Sequence, residues 1–252
     1  MILIKSRAEI ETMREAGRIV ARVLSSMEES AAPGVTTAQL DSKAEKLIRA
    51  SGGEPAFLGY RGFPGSICAS INEELVHGIP GLRRLKEGDI ISIDVGVRYK
   101  GYYGDAAVTF SIGKIPESTK RLMKITRDSL DMAIENMCKG NHLSDISHAV
   151  QSYVEKNSYS VVRNYVGHGI GCRMHEDPEI PNFGTPGKGP RLREGMVFAI
   201  EPMVNAGSWE VELLSDQWTV VTKDRSLCAH FEHTVALTAE GPEILTLLSF
   251  KE

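Results

Sequence analysis

The sequence is poor in cysteine and aromatic residues, lacks a long apolar run, and carries no strong excess of either charge. Its four cysteines are Cys68, Cys138, Cys172 and Cys228. They form no Cys-x-x-Cys pair and their spacing does not resemble a zinc knuckle. They read as reduced thiols of a cytosolic protein, which excludes a disulfide framework. The net charge is −4 and the longest basic clusters are pairs such as Arg83-Arg84, so bulk electrostatics give no nucleic-acid partner. No stretch approaches the roughly 20 apolar residues that span a bilayer. The opening "MILIKSRAEI" lacks the apolar core of a secretory signal. The expectation is a soluble cytoplasmic protein with no membrane partner. What remains is ordinary globular material: 42% hydrophobic and 25% charged residues over 252 positions, enough for one large domain with a substantial core.

The chain repeats itself. Residues 7–30 carry Ile10, Met13, Ile19, Val20, Val23, Leu24 and Met27 at helical spacing, and Pro33-Gly34 ends the pattern. "TTAQLDSKAEKLIRASGG" predicts a second helix capped by Thr36 or Thr37 and closed by glycines. Residues 66–71 and 89–97 read as strands, and a long helix over 117–138 opens the second half. "LKEGDIISIDVGV" (85–97) lies on "LREGMVFAIEPMV" (192–204) at an offset of 107. Further upstream, "PGVTTAQLDSKAEKLI" has a weaker counterpart in "KGNHLSDISHAVQSYV" at an offset of 106. Such self-similarity predicts duplication about a pseudo-twofold axis: one domain over 1–252, with halves of about 1–115 and 116–252. Asp94 and Glu201 hold equivalent positions in the two copies. If the two strands meet near the axis, the two carboxylates converge.

Other side chains of metal-ligand type lie along the chain. "NYVGHGIGCRMHEDPEIPNFG" (164–184) holds His168 and His175 in a glycine-rich stretch. In "IISIDVGVRYKGYYGDAAVTF" the alternation of apolar residues with Ser92, Asp94 and Gly96 predicts a strand. A turn over Arg98–Gly101, centred between Tyr99 and Lys100, would set Asp105 directly opposite Asp94. Opposed acids destabilise a bare pair of strands, and a cation between them removes the problem; the alternative is that one acid faces solvent. "CAHFEHTVAL" places Glu232 in a strand-like run, which is unusual for a glutamate unless it is paired or ligated. Alternation puts His230 and His233 on the face opposite Glu232, as non-ligands. Asp94, Asp105, His168, Glu201 and Glu232 together are too oxygen-rich for a structural zinc site. They suit two divalent ions bridged by carboxylates, roughly 3.5–4 Å apart. Manganese, iron(II), cobalt and zinc all tolerate such ligands.

At these residues the sequence resembles type I methionine aminopeptidases of the pita-bread fold. The motifs are "NEELVHGIP" with His77, "DVGVRYKGYYGDAAVTF" with Asp94 and Asp105, "GHGIGCRMHEDP" with His168 and His175, "FAIEPM" with Glu201 and "HFEHTV" with Glu232. The resemblance implies an α+β architecture: two pseudo-twofold halves with a central curved antiparallel sheet and helices on its outer face. It implies that Asp94, Asp105, His168, Glu201 and Glu232 bind two divalent metals, that His77 and His175 contact substrate, and that Glu201 also moves a proton. It places Tyr60, Phe63, Cys68, Met174 and Trp218 around the methionine side chain; taken alone these read as plain core residues. Family members more usually carry a second tyrosine at position 63 and an aromatic at 174. The implied substrate is the initiator methionine of nascent polypeptides with a small second residue. Ribosome contact is a plausible accompaniment, and a monomer is expected.

Two relatives of that fold are less well matched. Prolidases and X-Pro aminopeptidases share the five ligands but usually carry a large domain before the first helix. Type II methionine aminopeptidases insert a helical subdomain between the last two acids, which here are only 31 residues apart. A non-catalytic binding module would have lost ligands, and all five are present.

Overall fold

The computed structural model describes residues 1–247; the last five positions of the second half lie outside the described residues. Helix α1 (Arg7–Ser30) starts at a capping box in which the Ser6 hydroxyl accepts from the Glu9 amide while the Glu9 carboxylate accepts from the Ser6 amide. Helix α2 (Thr37–Ala50) starts the same way, with Thr36 and Gln39. Each box satisfies backbone donors that the first turn leaves unpaired. Helix α3 (Glu117–Glu135) stops three residues short of the sequence expectation. There the Asn136 amide group takes the Met132 carbonyl at 2.8 Å, and Asn141 takes the Asn136 carbonyl at 3.0 Å. Side chains that bond their own backbone compete with the helix and end it. Helix α4 (Leu143–Lys156) has 14 residues, as α2 does, and begins 106 positions later.

The strands of the first half are β1 (Glu54–Pro55), β2 (Cys68–Ile71), β3 (Glu74–Val76), β4 (Ile90–Tyr99) and β5 (Tyr102–Ser111). Those of the second half are β6 (Ser160–Val161), β7 (Gly167–Gly169), β8 (Glu176–Ile180), β9 (Val197–Ile200), β10 (Met203–Asn205), β11 (Val211–Leu213), β12 (Val220–Thr222), β13 (Cys228–His230), β14 (His233–Thr238) and β15 (Gly241–Ile244). All pairings are antiparallel. The backbone divides into a first-half sheet of β1, β4, β2 and β5, a five-stranded sheet ordered β15-β14-β9-β7-β8, and two three-stranded sheets, β13-β10-β6 and β11-β12-β3. One apolar core joins α1 and α2 to the first-half sheet; another joins α3 and α4 to the second-half strands, and Val108 packs on both.

The β4–β5 hairpin departs from the expected register. Its turn is Lys100-Gly101, with φ of 46° and 86°. Tyr99 pairs with Tyr102, Asp94 with Ala107, and Gly96 with Asp105. A two-residue turn with positive φ at both positions matches the twist of the strands it joins, and Gly101 adopts that conformation without a steric cost. Asp94 and Asp105 are therefore diagonal neighbours on one face rather than directly opposed.

The two halves are stitched where β5 meets the segment before β14. The Glu232 amide donates to the Ala107 carbonyl at 2.9 Å. Thr109 Oγ1 donates to the His230 carbonyl at 2.8 Å and accepts from the His230 amide at 3.0 Å. Thr234 Oγ1 does the same with Asp105, at 2.8 and 3.0 Å. A hydroxyl both donates and accepts, so each threonine satisfies the N–H and C=O of one residue across the seam.

Candidate active site

The five predicted ligands converge at this seam. Asp94 lies in the middle of β4 and Asp105 near the start of β5. His168 is the central residue of β7. Glu201 follows β9, where Pro202 lacks the N–H needed to continue a ladder and the chain passes to β10 in another sheet. Glu232 lies in the corresponding break between β13 and β14. Ligand-type atoms of Asp105, His168 and Glu232 fall within 4.8 Å of one another. His168 Nε2 is 3.8 Å from Asp105 Oδ2 and 3.7 Å from Glu201 Oε1.

These groups are incompatible with one another as they stand. Asp94 Oδ1, Asp105 Oδ1 and Glu232 Oε1 are buried without a hydrogen-bond partner among the described residues. Burial raises the Asp94 carboxyl to about 7. Burial, then repulsion from Glu232 and Asp94, pushes Asp105 well above the carboxylate range. Glu201 and Glu232 are raised well above it for the same reasons, burial first. Burial also lowers His168 to about 3, with the neighbouring His175 adding to the effect. The Nδ1 of His168 lies 2.9 Å from the Gly169 carbonyl. A neutral ring donates that Nδ1 proton, so Nε2 presents a bare lone pair to two carboxylates. Orphaned carboxylate oxygens around a bare imidazole nitrogen are the donor set that a hard to borderline divalent cation takes. The residues present therefore fit bound metal.

A cavity of about 150 Å³ opens onto this cluster. Tyr60, Phe63, Cys68 and Trp218 line it as expected, together with His77 and His175. Phe63 and Trp218 meet edge to face at 5.1 Å between centroids. Met174 is buried behind the lining, packed with Phe57, Phe63 and Cys68. Phe57 and Arg61 also line the cavity and were missed in the sequence reading; only their place in the aromatic-rich "AFLGYRGF" could have signalled them. Gly96 is what admits this packing. A Cβ there would come within 2.6 Å of Phe57 Cε1 and 3.0 Å of Met174 Cε.

Two histidines face the cavity from opposite loops. The Tyr60 hydroxyl lies 2.8 Å from His175 Nδ1, and the His175 ring is 4.3 Å from that of His168. His77 sits in the left-handed region at φ 59°, a strain that clusters at functional sites. Its ring meets Tyr165 and Trp218 edge to face, and burial lowers it to about 4. Gly78 makes the turn possible, since a Cβ there would be 2.4 Å from the Ala69 carbonyl oxygen.

His230 corrects the alternation argument. Because the strand breaks at Phe231-Glu232, sides no longer alternate across the break. His230 Nε2 points toward Glu201, 3.8 Å from Oε2. His233 does turn away, its Nδ1 2.8 Å from Thr246 Oγ1.

A buried cluster of carboxylates with one imidazole, at the junction of two α+β halves and opening onto a cavity with an aromatic wall, defines a metal-dependent hydrolase site in a pita-bread fold. Comparison with known proteins agrees: Metallopeptidase family M24 matches residues 11–239, and the chain belongs to this family. Within it the chain belongs with the methionine aminopeptidases. It is 57% identical to the methionine aminopeptidase of Clostridium acetobutylicum, over 98% of this chain and 99% of that one. It is 55% identical to methionine aminopeptidase 1 of Bacillus subtilis, over the same shares. The crystal structure of methionine aminopeptidase from Thermotoga maritima superposes with a TM-score of 0.97 at 48% identity, covering 98% of this chain and 100% of that one. Among the described residues no helix is long and apolar enough to cross a membrane.

Proposed function

We propose that this chain removes the initiator methionine from nascent polypeptides whose second residue is small, by hydrolysis at two divalent ions held by Asp94, Asp105, His168, Glu201 and Glu232. The observation that carries the reading is the juxtaposition of the orphaned carboxylate cluster with a cavity walled on one side by Phe57, Phe63, Cys68 and Trp218. Cobalt, manganese, iron(II) and zinc all suit the donor set. Bound there, they supply Lewis acidity and a water of lowered pKa.

The chain's own groups divide the remaining work. The cavity walls of Phe63, Cys68 and Trp218, backed by Met174, take the methionine side chain; a thioether tolerates such mixed aromatic and sulfur contacts well. The Glu201 carboxylate accepts a proton from the attacking water and returns it to the leaving amine. Tyr60, donating to His175 Nδ1, leaves the proton of that ring on Nε2, where it polarises the substrate carbonyl. His77 hydrogen-bonds the scissile nitrogen or the anionic intermediate. The two halves, about 1–115 and 116–252, form one catalytic domain by this reading, each contributing ligands. The protein acts as a cytoplasmic monomer, near the ribosome from which its substrates emerge.

The test is release of methionine from Met-Ala-Ser with each of the four ions and with chelator. Turnover with metal and none with chelator is expected. No turnover with any ion, or faster cleavage of an X-Pro dipeptide, would refute the proposal. His77→Ala should lower kcat roughly 100-fold with the metal content of the purified protein intact. Loss of metal from that variant would make His77 a ligand.

A further inference from the structure

The seam between the halves relates more residues than the matched strands do. Thr109 and Thr234 are 125 positions apart, and each captures the N–H and C=O of one residue of the other half. The residues captured, Asp105 and His230, are also 125 apart. The same offset relates Ala107 to Glu232, which face each other in the middle of the seam. His230 is thus the second-half counterpart of the ligand Asp105: a carboxylate stands in one copy and an imidazole in the other.

The imidazole is placed for a purpose that the five-ligand reading leaves unused. His230 is 2% exposed and its Nε2 has no hydrogen-bond partner among the described residues. That atom is 3.8 Å from Glu201 Oε2, while the other oxygen, Oε1, faces His168 Nε2 at 3.7 Å. Glu201 therefore lies between two rings. They differ in one respect. His168 has its Nδ1 on the Gly169 carbonyl and so offers a bare Nε2. No carbonyl takes Nδ1 of His230 among the described residues, so its single ring proton is free to sit on Nε2, where it attracts Oε2. Thr109 bonds both the N–H and the C=O of His230 and so anchors its backbone beside Glu201. Hydrogen bonds at catalytic groups are commonly long until the site is filled and then tighten.

We propose that His230 is a positioning residue: its Nε2–H holds Oε2 of Glu201 and aims that carboxylate for proton transfer, without His230 itself ligating metal. This rests on the proton-transfer role proposed for Glu201. The test compares His230→Leu, which keeps the volume and removes the donor, with His230→Gln, which keeps an N–H donor. In His230→Leu, kcat on Met-Ala-Ser should fall roughly 30-fold, within the range for residues that orient a metal site, while KM stays within about twofold. Calorimetric titration of the metal-free protein should give an unchanged number of bound ions. His230→Gln should recover most of the lost turnover. An unchanged kcat in the leucine variant, an equal fall in both variants, or a lost ion overturns the proposal. A readout independent of turnover is the ring-nitrogen NMR shift of His230 in zinc-loaded protein, assigned by its absence in His230→Gln. It should report a neutral ring protonated on Nε2; a proton on Nδ1 overturns the proposal even if the enzyme is active. A wild-type protein inactive on methionyl peptides but carrying that Nε2 proton would instead refute the function and leave the contact standing.

Discussion

Asp105→Asn should abolish methionine release and, in the absence of metal, raise the melting temperature. Both effects come from one carboxylate. With metal bound, its charge helps hold the ions, and its loss should lower kcat/KM by roughly a thousand-fold, about 4 kcal/mol at the transition state. Without metal the same group is a liability. Burial holds Asp94, Asp105, Glu201 and Glu232 above the ordinary carboxylate range, and repulsion from neighbouring acids adds to it at Asp105, Glu201 and Glu232. In the unfolded chain they titrate near 4. At these four groups, between about pH 4 and about 7, where Asp94 titrates, the folded protein holds more protons than the unfolded one, so their contribution falls as pH rises; His77, His168, His230 and His233, kept neutral by burial, act the other way up to about pH 6.5, where they titrate in the unfolded chain. Above about pH 6.5 those histidines are neutral in both states, so the metal-free wild type should lose stability from there through pH 8. Metal-saturated protein, its carboxylates already neutralised by cations, should lose much less. Calorimetry at pH 5, 6.5 and 8, with and without divalent ion, checks the prediction. A metal-free melting temperature that rises between pH 6.5 and pH 8, or an asparagine variant that melts lower than wild type at pH 8 without metal, would contradict it.

Lys5→Met should be the most destabilising single substitution in the segment before α1. Lys5 Nζ lies 2.7 Å from Glu176 Oε2, and the two side chains are 5% and 1% exposed. The ammonium also donates to the Leu3 carbonyl at 3.2 Å. The Glu176 Oε1 accepts the Arg173 amide at 3.1 Å. Gly171 leaves room for the lysine, since a Cβ there would stand 2.4 Å from Lys5 Cε. Burial by itself would raise the Glu176 carboxyl, but the bonds from Lys5 and from the Arg173 amide outweigh it and hold the group below its ordinary value. Removing the lysine leaves that carboxylate buried and uncompensated, at a cost of about 3–5 kcal/mol. For a chain of this size that is a melting temperature lower by roughly 10 °C. Lys5→Met combined with Glu176→Gln should recover most of the loss, because the neutral amide still accepts from Arg173. A single variant within about 1 kcal/mol of wild type would show that the pair contributes nothing net. Because Glu176 directly follows His175, the single variant should also raise KM for Met-Ala-Ser; the double variant tests whether charge or packing sets the loop.

Much of the site was legible in the chain because its signals are local or are identities. The alternation around Asp94, the capping residue Thr36, and the Pro33-Gly34 break each act over a few residues. The offsets of 107 and 106 needed only comparison of the chain with itself, and α2 and α4 keep the second offset and an equal length. The resemblance then supplied what spacing could not, namely which histidine it implies for metal and which for substrate.

The sequence by itself determined the helices, the duplicated plan and the ligand types in their order, because propensity and periodicity are properties of neighbouring residues. Only the tertiary structure decided the Lys100-Gly101 register that makes Asp94 and Asp105 diagonal neighbours, the side on which His230 stands, and the burial of Lys5 against a glutamate 171 positions away. Alternation predicts a face only while a strand continues, and both Glu201 and Glu232 sit where the chain leaves one sheet for another. Where a side chain points after such a break is set by what packs across the seam, and that contact does not exist until the two halves meet.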